Sequence, residues 1–139
     1  IKWFTRGEWV DDPSKAAPDL VKKLDQVRDL TTRVKPPKGV PIHILVCWAE
    51  DGHSPKSYHY SGQAVDFYFG SGLSVIEEFL LINSFAGLGG IGYYPHWTPR
   101  PGWHIDLRDY DEGKLYWYYT PKLGYQYGIA ALATILEAS

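Results

Sequence analysis

Stretches with helical spacing and stretches with strand alternation take turns along this chain, and their order constrains the fold more than any other feature. Leu20, Leu24, Val27, Leu30 and Val34 recur at helical spacing, and Asp19 favours a helix start, so a helix is expected over residues 18–34. Pro36-Pro37-Lys38-Gly39 ends it. Residues 42–48 are a short apolar run rich in β-branched side chains, the mark of a buried strand. Residues 64–69 alternate small or acidic with large apolar side chains and read as a second strand. Ser74 and Glu77 have the spacing of a capping box. They predict a helix over 74–85, with Val75, Ile76, Phe79, Leu80 and Ile82 as its apolar face. Strands follow over 91–94, 103–107 and 115–119, the first two separated by a loop holding Pro95, Pro99 and Pro101. An apolar helix over 127–138 closes the chain. The order αββαβββα predicts an α+β fold, a central antiparallel sheet with flanking helices. The 139 residues fit a single domain spanning 1–139.

A net charge of −2 supplies no basic field, so nucleic acid is not an expected partner. No apolar run reaches membrane-spanning length, so no transmembrane segment is expected. With one cysteine, Cys47, an intrachain disulfide is impossible, and its apolar strand makes it packing rather than a nucleophile. The residues from Ile1 onward do not read as a signal peptide, which suits a mature or trimmed form. Aromatic residues make up 16%, and such side chains either fill a core or wall a cleft. Tyr93, Tyr94, Trp97 and Trp103 are open to both readings.

Chemistry concentrates on His59, Asp66 and His104. His59 and Asp66 are seven residues apart, and Gly62 between them allows a tight turn that brings both side chains to one point. Ala64 shares a strand face with Asp66, and its small side chain leaves room for an ion. His104 lies on another strand, and neighbouring strands are about 4.8 Å apart. Two imidazoles and a carboxylate suit zinc with one open coordination position. The alternative is a surface hydrogen bond for His59 and a salt bridge for Asp66. Asp106, on the same strand face as His104, is the candidate catalytic carboxylate. It either takes a proton as general base or orients the His104 imidazole. His96 and Glu50 are the next candidates for proton handling, while His43 reads as structural and His53 as solvent-facing.

Ser57-x-His59-x-x-Gly62-x-Ala64-x-Asp66 resembles the signature of the zinc D-alanyl-D-alanine carboxypeptidases and dipeptidases, whose fold the hedgehog signalling domain shares. Phe4-Thr5-Arg6-Gly7-Glu8-Trp9 resembles that family's entry segment. Gly90-Ile91-Gly92-Tyr93-Tyr94-Pro95 with Trp103-His104-Ile105-Asp106 resembles the late segment of its murein endopeptidase and lysin branch. The resemblance implies a hedgehog/DD-peptidase-like fold, with zinc held by His59, Asp66 and His104. It also implies water attacking a peptide carbonyl in peptidoglycan stem or cross-bridge peptides. A periplasmic, cell-envelope or extracellular location, or a phage-encoded lysin, follows from that substrate. Two positions depart from the pattern. Cys47-Trp48-Ala49-Glu50 aligns with a family stretch ending in Arg, and Pro101 stands where several branches carry an acid three residues before the last His. The departures leave a second expectation, a non-catalytic metal-binding module of the same fold that binds peptidoglycan or a protein partner.

Overall fold

The computed structural model describes residues 2–4, 18–46, 63–85, 87–109 and 113–139. In chain order these form α1 (Pro18–Val34), β1 (Ile42–Val46), β2 (Ala64–Phe69), α2 (Val75–Asn83), β3 (Gly90–Tyr94), β4 (Gly102–Asp106), β5 (Leu115–Thr120), β6 (Gly124–Tyr127) and α3 (Ile129–Glu137). The limits of α1 and β2 are those the sequence pattern predicts. β6 is additional. Its Tyr127 pairs with Trp117 of β5, so the last helix starts at Ile129 and not at 127.

Ser74 caps α2 as expected. Its hydroxyl accepts the Glu77 N–H at 3.1 Å, and the Glu77 carboxylate accepts the Ser74 N–H at 2.9 Å. The apolar face differs from the expectation. Ile76 and Leu80 are exposed, whereas Val75, Glu78, Phe79 and Ile82 turn toward the core. Those four follow the i, i+3, i+4, i+7 rule, and the rule places an acid on the inner stripe.

The strands form one sheet in the order β1-β2-β4-β3-β5-β6. It is mixed, not antiparallel, because β3 and β5 run parallel while every other pair is antiparallel. The reason is visible in the register. Asp106, Gly90 and Leu115 stand in one row across β4, β3 and β5. The chain therefore leaves β4 and enters β5 at the same end of the sheet. One side of β3 is already taken by β4, so β5 adds to the other side, antiparallel to β4 and hence parallel to β3. Gly89 ties the three together: its N–H donates to the Asp106 carbonyl, and its own carbonyl accepts from Leu115 N–H.

Side chains alternate between the two faces of each strand. One face carries Val65, Phe67, Phe69, Ile91, Tyr93, Trp103 and Ile105, all fully buried. These pack with Leu20, Leu24 and Val27 of α1, Ile82 of α2, and Leu132 and Leu136 of α3 in one cluster. Tyr93 and Trp103 thus belong to the core, and their rings lie 4.8 Å apart. The opposite face carries Asp66, His104, Asp106, Gly90, Gly92, Tyr94, Trp117 and Tyr119. Among the described residues, no helix is long and apolar enough to cross a membrane.

Candidate metal centre

His104 occupies the middle of this second face and is itself buried. Its cross-strand neighbours are Asp66 on β2 and Gly92 on β3, and Gly92 in turn faces Trp117 on β5. The imidazole is held at both nitrogens. Nδ1 lies 2.9 Å from Asp66 Oδ1, and Nε2 lies 2.7 Å from Asp106 Oδ2. Asp106 is fully buried. Arg108 grips it with Nη2 at 2.7 Å from Oδ2 and Nε at 2.9 Å from Oδ1, and the Arg108 backbone N–H reaches Oδ1 at 3.1 Å. Charged, two-point pairing of this kind is among the stronger and more directional hydrogen bonds. Ala64, opposite Asp106 in the register, leaves space for this pair.

The electrostatics follow from the packing. Burial alone would lower the His104 pKa. The hydrogen bonds to Asp106 and Asp66, and their charges, outweigh it and raise the imidazole above its ordinary value. Burial would raise Asp106, but the bonds and charges of His104 and Arg108 hold its carboxyl well below the usual range.

Two glycines make the arrangement sterically possible. A Cβ on Gly90 would lie 2.5 Å from Asp106 Oδ2 and 2.8 Å from Arg108 Nε. A Cβ on Gly92 would lie 2.3 Å from Cε2 of the Trp117 indole. The Gly-x-Gly spacing in β3 therefore clears two successive positions on the site face, one for the carboxylate–guanidinium pair and one for the indole.

Asp66 also opens on a groove of about 420 Å3, lined by Leu45, Asp66, His96, Trp97 and Thr98. Trp97 stacks on Tyr94 at 4.3 Å, and the exposed His96 ring lies 5.5 Å from that of Tyr119. His43 on β1 stacks on its cross-strand partner Tyr68, with ring centroids 4.8 Å apart. Arg100 donates from Nε to the Phe69 carbonyl at 3.1 Å.

Of the three residues expected to hold zinc, the fold brings Asp66 and His104 together, while His59 lies outside the described residues, as do Cys47, Glu50 and His53. Among the described residues, no group of three His, Cys, Asp or Glu side chains is placed to hold an ion by itself. The described pair has the donor types that zinc takes. Two donors at about 2.0–2.1 Å from one tetrahedral zinc stand roughly 3.3 Å apart, whereas Asp66 Oδ1 and His104 Nδ1 lie 2.9 Å apart in a direct hydrogen bond, so they would have to part slightly around an ion. Asp106 at the far nitrogen is the carboxylate partner that a ligand imidazole commonly has.

Three participants escaped the sequence reading: Arg108 as the clamp on Asp106, Trp117 as the neighbour of His104, and Gly92 as the gap between them. The alternation in β3 and β4 carried a signal for Gly92, since it puts the glycine on the face opposite Ile91 and Tyr93. Neither a family model nor any curated protein or solved structure matches the chain. The functional reading therefore rests on this geometry and on the sequence motifs.

Proposed function

We propose that the protein is a zinc-dependent peptidase with a hedgehog/DD-peptidase-like fold that hydrolyses peptide bonds of bacterial peptidoglycan and works in the cell envelope or outside the cell. The observation that carries the reading is the Asp66–His104–Asp106–Arg108 chain. It is a ligand pair at one end and a buried clamp at the other, and its ligand end opens on a groove. Asp66 and His104, with His59, would hold the zinc. When bound, zinc supplies Lewis-acid polarisation of a carbonyl and acidifies water.

The remaining work belongs to the chain's own side chains. Asp106 accepts a hydrogen bond from His104 Nε2–H, so that Nδ1, which faces Asp66, would be the nitrogen turned to a bound zinc. Arg108 keeps Asp106 ionised and fixed. Of the two roles the sequence left open for Asp106, this geometry supports orientation of the imidazole, because the carboxylate is fully buried behind the ring. Proton handling in the groove then falls to His96, the exposed imidazole that shares the groove with Asp66. The walls formed by Leu45 and Trp97 would receive the extended peptide.

One observation favours the second reading, a metal-binding module without hydrolytic activity. Arg100 is bonded to the Phe69 carbonyl and Arg108 to Asp106, and neither lines the groove beside Asp66. The oxyanion donor that the family's Arg would supply has no described cationic replacement there.

Elemental analysis of the purified protein, followed by mass spectrometry of digested peptidoglycan fragments, separates the readings. The peptidase reading expects about one zinc per chain, cleaved stem or cross-bridge peptides, and loss of both on His59→Ala, Asp66→Ala or His104→Ala. Bound zinc with every fragment intact overturns the peptidase and leaves the module. Background zinc in the unmodified protein overturns both.

A further inference from the structure

We infer that Trp117 is a positioning residue for the metal centre: its indole, seated on Gly92, fixes the His104 ring and closes the β5 side of the site. Trp117 comes from β5, two strands away from His104 in the sheet. It reaches the imidazole only because Gly92, which lies between them in the row, has no side chain. The indole and imidazole centroids are 5.2 Å apart, and the indole is 95% buried, with 5% of its residue surface exposed.

The indole is itself fixed at two further points. Its Nε1–H donates to the Tyr94 hydroxyl at 3.0 Å. The Arg108 guanidinium carbon lies 5.0 Å from the indole centroid, within cation–π range. A single side chain therefore touches the ligand imidazole and also the arginine that clamps its carboxylate partner. Asp66 at Nδ1, Asp106 at Nε2 and Trp117 beside the ring leave the imidazole one orientation. With the β5 side filled, the opening that the described residues leave beside Asp66 is the groove of Leu45, His96, Trp97 and Thr98. Shielding by an apolar ring also lowers water access to a metal site, a feature that ordinarily tunes its affinity.

The inference rests on the zinc reading for one of its two readouts and on the fold alone for the other. The metal-free readout is the pair of His104 ring N–H signals in nitrogen-15 NMR, at one fixed pH. In the unmodified protein these are expected to be shifted downfield and slow to exchange with water. Trp117→Leu and Gly92→Ala remove or dislodge the indole, and both are expected to broaden or lose those signals. The second readout is zinc affinity against a competing chelator, expected to weaken about tenfold in both variants, the size usual for lost outer-shell support. Trp117→Phe keeps an aromatic ring beside His104 and is expected to restore most of both. His104 signals and zinc affinity unchanged in a folded Trp117→Leu protein overturn the inference.

Should Trp117→Leu and Gly92→Ala fail to fold, Tyr94→Phe decides, since it removes only the hydroxyl that anchors the indole. A shifted His104 ring resonance supports the inference, and an unmoved one overturns it. If the unmodified protein binds no zinc, the proposed function falls, while the ring signals still decide the role of Trp117.

Discussion

Replacing Glu78 by Gln measures what the core imposes on one carboxyl group. Glu78 is 3% exposed and accepts the Trp103 Nε1–H at 2.9 Å, beneath the strand that carries His104. Burial raises its pKa from 4.5 to about 7, against the lowering effects of the Trp103 hydrogen bond and the Arg100 charge, with Glu77 adding to the rise. The direction of the pH effect follows. In the unfolded chain the carboxyl ionises near pH 4.5, whereas in the folded protein it keeps its proton up to about 7. Its contribution to stability is therefore most favourable below pH 4.5 and is lost as the pH rises through 7. At roughly 1.4 kcal/mol per pH unit, that interval amounts to about 3 kcal/mol. Gln keeps an oxygen acceptor for the indole and cannot ionise. Urea unfolding of both proteins between about pH 4 and pH 8 reads the difference. The Gln variant should gain on the unmodified protein from near zero in acid to a plateau of about 3 kcal/mol above neutrality. At a slope of about 2 kcal/mol per molar urea, the plateau is a midpoint shift of about 1.5 M. A difference that stays flat across the range, or that grows toward acid, refutes the reasoning.

Asp106→Asn keeps the shape beside His104 Nε2 but removes the charge that Arg108 clamps, and zinc affinity should fall about 10–100-fold in chelator competition. An affinity equal to that of the unmodified protein would remove Asp106 from the centre. Ser74→Ala deletes half of the α2 capping box and should cost about 1 kcal/mol in thermal or urea unfolding. Ile105→Ala, on the fully buried face of β4, should cost about 2–5 kcal/mol, and a loss under 1 kcal/mol would mean that this face is not packed as described.

What could be read before the structure depended on whether a segment's neighbours lie along the chain or across it. α1 is amphipathic over several turns, and β2 alternates from Val65 onward, so both kept their expected limits. The α2 capping box is a contact between residues three apart and was equally legible. The α2 face was misjudged because Ile76 and Leu80 are apolar without being buried, while Glu78 is buried because Trp103 offers it a donor from another element. β6 has Tyr125 and Tyr127 exposed and no inward apolar residue, so its sequence carries no strand pattern of its own, and pairing with β5 creates it. The parallel β3–β5 contact is a property of strand order, which no local window holds. At the site, the motif residues Asp66 and His104 were legible and do meet, whereas Arg108 and Trp117 gain their meaning only from the sheet register.

β4 sends alternate residues to the two faces of the sheet: Trp103 and Ile105 to the hydrophobic core, His104 and Asp106 to the candidate site, where both are also buried. The two functions are thus locked in phase. A single inserted or deleted residue within β4 would exchange them, driving an imidazole among Phe79 and Tyr93 and turning an indole toward the groove. Sequence drift in this strand is expected to be confined to substitution in place, since a change of frame would disrupt the core and the candidate site in one step. Length variation is expected instead in the 95–101 loop, which borders the groove and sits outside the alternating frame. Divergence in what the groove accepts is expected to come from that loop, while the phase of β4 stays as it is.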